Sequence, residues 1–254
     1  MRKNNKVIYT SLTGGYDELP QYRAIDSSFD YICFSNDYPP GSKIGHWLIK
    51  PIPFIHSSPI HLSRYAKLLP HNVIPEYEWS VWLDSNLVIE DDKFYFIVNK
   101  CIERGELWNG IYHPLTDCIY EDMKKCLVGA KIKYKEIKGL LNFLRKEDFP
   151  RHEGLFENNV ILRKHNEPKI IEIDEAWWSF FVDFVRRDQL SLFYIFWKKK
   201  FCPGLLLPKD ENTHNSSYFT FIPHKKPSIK KRIVNKIIRW QNILTIRLFN
   251  PFSF

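Results

Sequence analysis

Short apolar runs alternate along the chain with segments in which apolar residues recur every three or four positions. The runs predict strands at residues 6–13, 29–35, 79–83, 110–114 and 157–163. The periodic segments predict helices at residues 60–69, 92–105, 117–128 and 170–185, with residues 186–198 continuing as a buried helix. Strands that alternate with helices indicate an α/β domain with a mostly parallel sheet flanked by helices.

Two segments fall outside this alternation. Residues 129–150 are rich in Lys and Glu and lack a clear period, which fits either a helix over the site or a loop. At the C-terminal end, six apolar residues lie about one turn apart, with Lys and Arg on much of the other side: Ile229, Ile233, Ile237, Trp240, Leu244 and Leu248. Such a basic amphipathic helix suits an anionic membrane surface, and the alternative is a helix docked on the core or in a dimer interface. We therefore expect a domain at 1–224 and a basic tail at 225–254.

The net charge of +8 belongs to this tail. Residues 225–254 hold eight basic residues and no acidic one, so the 29 acidic residues of the chain are matched by 29 basic ones before the tail. A nucleic-acid-binding enzyme more often spreads positive charge over its binding face, so no nucleic-acid partner is expected.

The amino-acid composition predicts a folded protein, and the cysteines favour a cytosolic one. Hydrophobic residues make up 44% of the 254 positions, which is typical of a globular chain. The five cysteines are odd in number and have no C-x-x-C spacing, which indicates reduced, mostly buried thiols rather than a zinc ribbon or a disulfide framework. Neither a signal peptide nor a membrane span of about 18 apolar residues is predicted.

Polar residues follow most of the predicted strands. In a parallel α/β sheet, ligands bind at the carboxyl edge, because the loops diverge there. The residues expected at that edge are Thr10 to Asp17, Asn36-Asp37, Asp84-Ser85-Asn86, His113 and Arg163 to Asn166.

Asp84 follows the most apolar strand of the chain, and Asn86 lies two residues further on. A carboxylate here could hold Mn²⁺ or Mg²⁺, which prefer oxygen ligands, and the ion would offset charge on a diphosphate leaving group. The alternative is a turn in which Asp84 bonds its own backbone. His214, in a polar loop, is a candidate late ligand of the same metal.

Two further groups could contact a phosphorylated substrate. Arg64 and Lys67 are three residues apart on one helix face, which suits a phosphate or equally a solvated basic surface. Asp188 stands between Arg187 and Gln189, where it is either a general base for an acceptor hydroxyl or the partner of an arginine. Asn159, ahead of a strand, offers amide donors and acceptors.

Six segments together resemble one family in their order along the chain: "YTSLTGGYDEL", "DYICFSND", "SRYAKLLPHNVIPEYEWSVWLDSNLVI", "HPLTDCIYED", "EGLFENNVILRKHN" and "WWSFFVDFVRRDQLSL". This family was catalogued as domain of unknown function 616 and is described as glycosyltransferase-like, with bacterial polysaccharide and plant cell-wall members. The resemblance covers residues 6–200. It implies a GT-A-like fold and transfer of a sugar from a nucleotide donor.

The resemblance also implies roles for residues. Thr10, Thr13, Gly14 and Tyr16 would border the nucleotide, and Arg64 and Lys67 would contact the donor. Asp84 and Asn86 take the place of the D-x-D-like element, and Asp188, with Arg187 and Gln189, would face the reacting sugar or the acceptor. Asp37, Ser85 and Asn159 join the donor site from their places beside strand ends. Two residues depart from the pattern: Asn86 carries no charge, and Thr116 stands where a basic residue is expected.

The leading hypothesis is a glycosyltransferase of bacterial surface polysaccharide assembly, such as capsule, lipopolysaccharide or O-antigen. It would be cytoplasmic, peripheral on the inner face of the membrane through its tail, and would act on a glycan or glycolipid acceptor. The main alternative is a non-catalytic nucleotide-sugar or glycan-binding protein. A nucleotidyltransferase, which would need two acidic metal ligands, and a basic membrane scaffold are the other options. The sequence leaves open the sugar, the acceptor, the stereochemical outcome and the oligomeric state.

Overall fold

The computed structural model describes residues 4–15, 18–223 and 228–252, and strands and helices alternate through most of them. The strands are β1 Lys6–Leu12, β2 Phe29–Ser35, β3 Lys43–Ile44, β4 Trp47–Lys50, β5 Trp79–Leu83, β6 Leu87–Ile89, β7 Trp108–Gly110, β8 Val160–Arg163, β9 Gly204–Leu205 and β10 Phe219–Phe221. The helices are α1 Pro59–Leu68, α2 Pro70–Val73, α3 Lys93–Glu103, α4 Ile119–Val128, α5 Tyr134–Lys146, α6 Pro168–Asp183, α7 Leu192–Lys198 and α8 Ile229–Phe249.

The main sheet has eight strands in the order β3-β4-β2-β1-β5-β8-β7-β9. Its centre is parallel, since β1 pairs in parallel with both β2 and β5. This arrangement confirms the predicted α/β class with a mostly parallel sheet. Strands β10 and β6 form a separate antiparallel pair.

Both faces of the sheet are covered, which explains the unbroken apolar runs of its central strands. Side chains of a strand alternate between faces, so Val7 and Tyr9 of β1 belong to one hydrophobic core and Ile8 and Leu12 to the other. Val7, Ile8 and Tyr9 are fully buried. A strand buried on both faces holds its C-terminal loop firmly at the edge of the sheet.

Strand β8 runs against the direction expected from the sequence. It pairs antiparallel with β5, and Val160 lies opposite Leu83. Its first residue therefore lies at the carboxyl edge of β5, and its last, Arg163, lies at the other edge. The prediction that Arg163 to Asn166 reach the ligand edge is wrong, because periodicity does not report strand direction.

The segment expected to continue as one helix through residue 198 is broken. α6 ends at Asp183, and a 3₁₀ turn at Asp188–Leu190 precedes α7. The indole Nε1 of Trp177 donates to the Asp188 carbonyl over 2.7 Å and fixes this turn. The break turns the Asp188 side chain towards α1.

The remaining predictions concern the C-terminal part and the cysteines. Residues 134–146 form α5, which resolves the ambiguous segment as a helix, and the tail forms α8. The predicted domain boundary at residues 224 and 225 lies outside the described residues. All five cysteines are free, and only Cys202 is exposed.

In the described parts of the chain, no helix has the length and apolar character needed to cross a membrane.

A fully buried ion pair joins β8 to α6. Arg163 Nη1 lies 2.8 Å from Asp174 Oδ1, and both side chains are 0% exposed. Arg163 Nη2 also donates to the Tyr9 hydroxyl and to the Lys67 carbonyl, at 2.6 and 2.5 Å. The pair thus links the sheet to the end of α1.

His165 should make the fold sensitive to acid. Burial lowers its pKa from 6.5 to about 4, and its Nε2 lies 3.0 Å from the Ile74 carbonyl oxygen. A histidine whose pKa is depressed by folding contributes stability above pH 6.5 and loses it as the pH falls towards 4, because the unfolded chain takes up the proton first. We expect the wild type to lose about 2 kcal/mol more than His165→Gln over this range.

Denaturant unfolding of the two proteins at pH 7, 5.5 and 4.5 measures this difference. Comparing the two removes the contribution of Asp174, whose pKa burial raises to about 7 and which acts in the opposite sense. Parallel stability curves would show that His165 does not titrate as described.

Candidate functional site

The first part of the candidate site is a glycine turn after β1. Gly14 and Gly15 have φ of +76° and +60°, which favours glycine. Their backbone amides donate to the two carboxylate oxygens of Asp37, at 3.2 and 2.9 Å. The Thr13 hydroxyl donates to the Pro59 carbonyl at 2.9 Å and ties the turn to the start of α1. Asp37 therefore shapes this loop from the end of β2.

Tyr16 and Thr10 were also predicted to border this turn. Tyr16 lies outside the described residues. Thr10 lies inside β1 and is 0% exposed, so its side chain does not reach the edge of the sheet. The expectation that Thr10 borders a nucleotide is not supported, because it occupies an inward position of a fully buried strand.

The second part is a cluster of four charged side chains from three distant segments. Lys67 Nζ lies 2.7 Å from Asp188 Oδ2 and 3.2 Å from Asp84 Oδ1. Arg64 Nε lies 3.3 Å from Asp188 Oδ1. The i, i+3 spacing on α1 places both cations on the face that meets the end of β5 and the 3₁₀ turn. The structure thus brings together Arg64, Lys67, Asp84 and Asp188, which the sequence singled out separately.

The electrostatics of this cluster hold Asp188 ionised. Burial raises the pKa of its carboxyl, but the charges of Arg64 and Lys67 outweigh burial, and the pKa lies well below its usual range. For Arg64, burial lowers the pKa of the guanidinium, and Asp188 and Asp84 reverse the effect and raise it. The four charges sum to zero, so the cluster is neutral before any ligand binds.

Asp84 has one occupied and one open carboxylate oxygen. Its Oδ1 accepts from Trp82 Nε1 at 2.7 Å and from Lys67. Within the described parts of the chain, no hydrogen bond uses Oδ2, and the side chain is 30% exposed. The Asp84 carbonyl also accepts from the Leu87 amide at 3.0 Å, so the D-x-N segment does form a turn. Ser85 and Asn86 are half-buried in that turn.

The third part lies where β8 begins, beside Asp84. The Asp84 amide donates to the Asn159 carbonyl at 2.9 Å, and Asn159 Nδ2 donates to the Thr213 hydroxyl at 2.7 Å. Glu157 Oε2 accepts from the same hydroxyl at 2.7 Å and from the Thr213 amide at 3.0 Å. Burial raises the pKa of Glu157. These bonds fasten the loop that carries His214 to the edge of the sheet.

Sequence reasoning missed Glu157. The signal present was an acidic residue three positions before a buried strand, and it points to the site only when β8 is known to start at the ligand edge. His214 Nε2 lies 3.7 Å from Glu157 Oε1, and its ring stacks on Phe221 at 4.3 Å. His214 therefore lies beside Glu157 in the loop that Thr213 fastens, and its role as a metal ligand stays a prediction.

Arg187 and Gln189 bond within the protein. Arg187 Nη2 donates to Gln189 Oε1, and Gln189 Nε2 donates to the Phe156 carbonyl, both over 2.9 Å. Gln189 is buried, and these bonds hold the 3₁₀ turn in place. Their part in catalysis stays a prediction, and the contacts indicate that they position Asp188.

The metal site predicted from Asp84, Asn86 and His214 has one carboxylate ligand. Asp84 Oδ2 is open, but the Lys67 ammonium lies 3.2 Å from the neighbouring Oδ1 and opposes a second cation. These residues fit a divalent ion that binds weakly until a diphosphate supplies further oxygens.

A second group of potential metal ligands lies elsewhere. Among the described residues, Cys118, Glu121 and His152 place one ligand atom each within 4.8 Å of one another. Glu121, however, lines the same cleft as Lys124, Lys125 and Arg151. This concentration of positive charge makes the cleft a better site for an anion than for a cation.

Comparison with known proteins gives one family. A sequence model of the TOD1/MUCI70, glycosyltransferase-like domain matches residues 7–214. No curated protein matches the sequence. The match and the α/β sheet confirm the resemblance and the GT-A-like fold class expected from the sequence.

Several solved glycosyltransferase structures show distant similarity. The bifunctional glycosyltransferase WbbM, in its apo form, shares 10% identity with a TM-score of 0.42 over 95% of this chain and 45% of that one. Mouse xyloside xylosyltransferase 1 shares 9% identity with a TM-score of 0.41 over 79% and 83% of the two chains. Core-mannan synthase A from Aspergillus fumigatus, in a Mn/GDP form, shares 10% with a TM-score of 0.38 over 76% and 70%. The chain thus spans less than half of the WbbM structure.

Proposed function

The chain belongs to the TOD1/MUCI70 glycosyltransferase-like family, and from that membership we propose that it transfers a sugar from a nucleotide-sugar donor to a glycan or lipid-linked glycan. The observation that carries the proposal is the charged cluster of Arg64, Lys67, Asp84 and Asp188 at the carboxyl edge of the sheet. Sugar transfer requires a stabilised diphosphate leaving group and a positioned acceptor, and both groups meet at such an edge.

The donor diphosphate would bind beside Asp84. Among the described residues, Arg64 forms its ion pair through Nε, and its side chain is 26% exposed, so part of its guanidinium can contact a phosphate. Lys67 is 1% exposed, so its role is to hold the two carboxylates rather than to meet the ligand. In this proposal Arg64 contacts the donor directly, whereas the contact of Lys67 with the donor expected from the sequence stays a prediction that its burial does not favour.

Asp188 would act through its charge. A carboxylate with a strongly lowered pKa is a poor proton acceptor near neutral pH, which argues against the general-base role considered from the sequence. A fixed negative charge instead suits a hydrogen bond to the donor sugar or stabilisation of an oxocarbenium-like centre. This role is compatible with a reaction that retains configuration.

A Mn²⁺ or Mg²⁺ ion would supply further charge for the diphosphate. Asp84 Oδ2 would hold it, with Asn86 and His214 as additional ligands. Because Asn86 replaces a second carboxylate, the ion should bind together with the nucleotide rather than before it.

A thermal-shift screen tests donor and metal together. We expect one nucleotide among UDP, GDP and CMP to raise the Tm by several degrees at 100 times its Kd, and Mn²⁺ to raise it further only when that nucleotide is present. Asp84→Asn should lose the Mn²⁺ increment and keep most of the nucleotide shift. A Tm shift that the nucleotide causes and that Mn²⁺ does not change would refute the metal site. The absence of a Tm shift with every nucleotide would refute the donor site.

We also propose where in the cell the reaction takes place. Assembly of bacterial surface polysaccharide at the inner face of the cytoplasmic membrane would explain the concentration of basic residues after residue 224, because its acceptors are carried on lipids. Transfer of radiolabelled sugar to a polyprenyl-linked glycan, but not to the same free glycan, would support this role.

A non-catalytic nucleotide-sugar-binding protein is the second candidate, and Asn86 is the observation that favours it. A non-catalytic protein would bind the nucleotide sugar without cleaving it. The two candidates therefore differ in whether a bound donor is consumed.

A further inference from the structure

The apolar row of α8 points into solvent. The six residues that the sequence placed on one face, Ile229, Ile233, Ile237, Trp240, Leu244 and Leu248, are between 41% and 75% exposed. Successive members are three or four residues apart, so they form a continuous row along the helix. A row of this length is unusual on a surface that only water contacts.

The domain holds α8 by the opposite face. Asn242 is the helix residue that is buried, and it lies two positions from Trp240, about 200° around the helix. Its Nδ2 donates to the Leu127 and Ile132 carbonyls at 2.9 and 2.8 Å, and its Oδ1 accepts from the Tyr134 amide at 3.2 Å. These polar bonds orient the helix so that its apolar row faces outward.

The charge around this row favours an anionic partner. α8 carries Lys230, Lys231, Arg232, Lys236, Arg239 and Arg247 and has no acidic residue. Two copies of the helix placed face to face would therefore repel each other, which argues against a dimer interface.

A basic cleft continues the surface between α8 and α4. It has a volume of about 720 Å³ and is lined by Lys124, Lys125, Arg151 and Arg239, with Glu121 as the acidic residue of its lining. A phosphate group matches this charge, and the volume leaves room for the rest of a lipid headgroup.

We propose that the apolar row of α8 and the basic cleft beside it form one surface that binds an anionic lipid bilayer, with the cleft holding a lipid phosphate. The apolar side chains enter the headgroup region, and Trp240 suits its boundary. Each nearby Lys or Arg adds to the attraction between this surface and an anionic leaflet. This surface is argued from α8 and α4 alone and is independent of the sugar-transfer proposal.

Co-sedimentation of the full chain with vesicles tests the proposal. We expect binding to vesicles of phosphatidylglycerol and phosphatidylcholine at 1:1, and at least about tenfold weaker binding to phosphatidylcholine alone. Trp240→Ser should weaken binding to the anionic vesicles several-fold, and the double variant Lys124→Glu, Arg239→Glu should abolish most of it.

Phe96→Ser is the matched control. Phe96 is 63% exposed on α3, close to the 66% of Trp240, and its replacement should leave vesicle binding unchanged. Equal binding to both vesicle types, or equal loss in both serine variants, would overturn the proposal. So would binding of inorganic phosphate without vesicle binding, or a dimer in solution that Trp240→Ser dissociates while vesicles remain unbound.

Discussion

Asp188→Asn should lower kcat about 100- to 1000-fold while leaving the affinity for the nucleotide sugar unchanged or slightly higher. The substitution removes the negative charge that would face the reacting sugar. It also leaves Arg64 and Lys67 with less compensation, since Lys67 keeps only Asp84 at 3.2 Å. Uncompensated positive charge beside the donor site favours an anionic diphosphate, so donor binding should not fall.

Steady-state kinetics and donor titration of the same protein separate the two effects. Asp183→Asn is the control, because Asp183 is exposed at the end of α6 and should retain full activity. An Asp188→Asn enzyme with wild-type kcat would remove Asp188 from the reaction. Loss of donor binding with no separate effect on kcat would make it a binding residue only.

Arg163→Met should cost about 3–5 kcal/mol of unfolding free energy. It leaves the carboxylate of Asp174 buried at 0% exposure without its cation, and it leaves the Tyr9 hydroxyl and the Lys67 carbonyl without a donor. Burial already raises the pKa of Asp174 to about 7, and the loss of Arg163 raises it further, so the carboxyl is expected to take up a proton. The cost therefore lies in the lost ion pair and in the buried acceptors that are left without a donor.

A second variant distinguishes the lost ion pair from a general packing defect. Arg163→Met combined with Asp174→Leu removes the orphaned buried carboxyl, so denaturant unfolding should find the double variant more stable than Arg163→Met alone. Lys164→Met, which breaks ion pairs of a side chain that is 30% exposed, should cost less than about 1 kcal/mol. A double variant whose loss equals the sum of the single losses would contradict this account of the pair.

The sequence predicted the individual elements better than their directions. Buried runs such as "FDYICFS" and "WSVWL" gave β2 and β5 at their observed bounds, because an apolar run between polar turns has few other interpretations. The reversal of β8 depends on how its two ends connect around the sheet, which no local pattern encodes. That single reversal removed Arg163 from the site and brought in Glu157.

The candidate site was predicted in parts and assembled by the fold. Arg64, Lys67, Asp84 and Asp188 were each ambiguous, because a charge at the end of an apolar run needs some partner and the sequence does not name it. The structure pairs them with one another, and it places Lys67, which is buried, between the two carboxylates. The break between α6 and α7 was also missed, since residues 170–198 are apolar enough to suggest one helix, and it is this break that directs Asp188 inward.

The α8 helix shows what periodicity alone leaves open. The spacing of Ile229 to Leu248 established an apolar face but not whether that face meets the domain. The hydrogen bonds of Asn242 set the orientation of α8 on the domain. A hydrophobic pattern could not predict these bonds, because it classes asparagine simply as polar.

Turnover of a donor sugar is the measurement that tests the central claim most directly. Wild type and Asp188→Asn would each be incubated with a panel of nucleotide sugars and Mn²⁺, and the released nucleoside diphosphate would be quantified. We expect release from one donor by the wild type, at a rate at least about 100-fold higher than that of Asp188→Asn. A donor that binds both proteins tightly and is released intact by both would contradict a transferase and leave a nucleotide-sugar-binding protein.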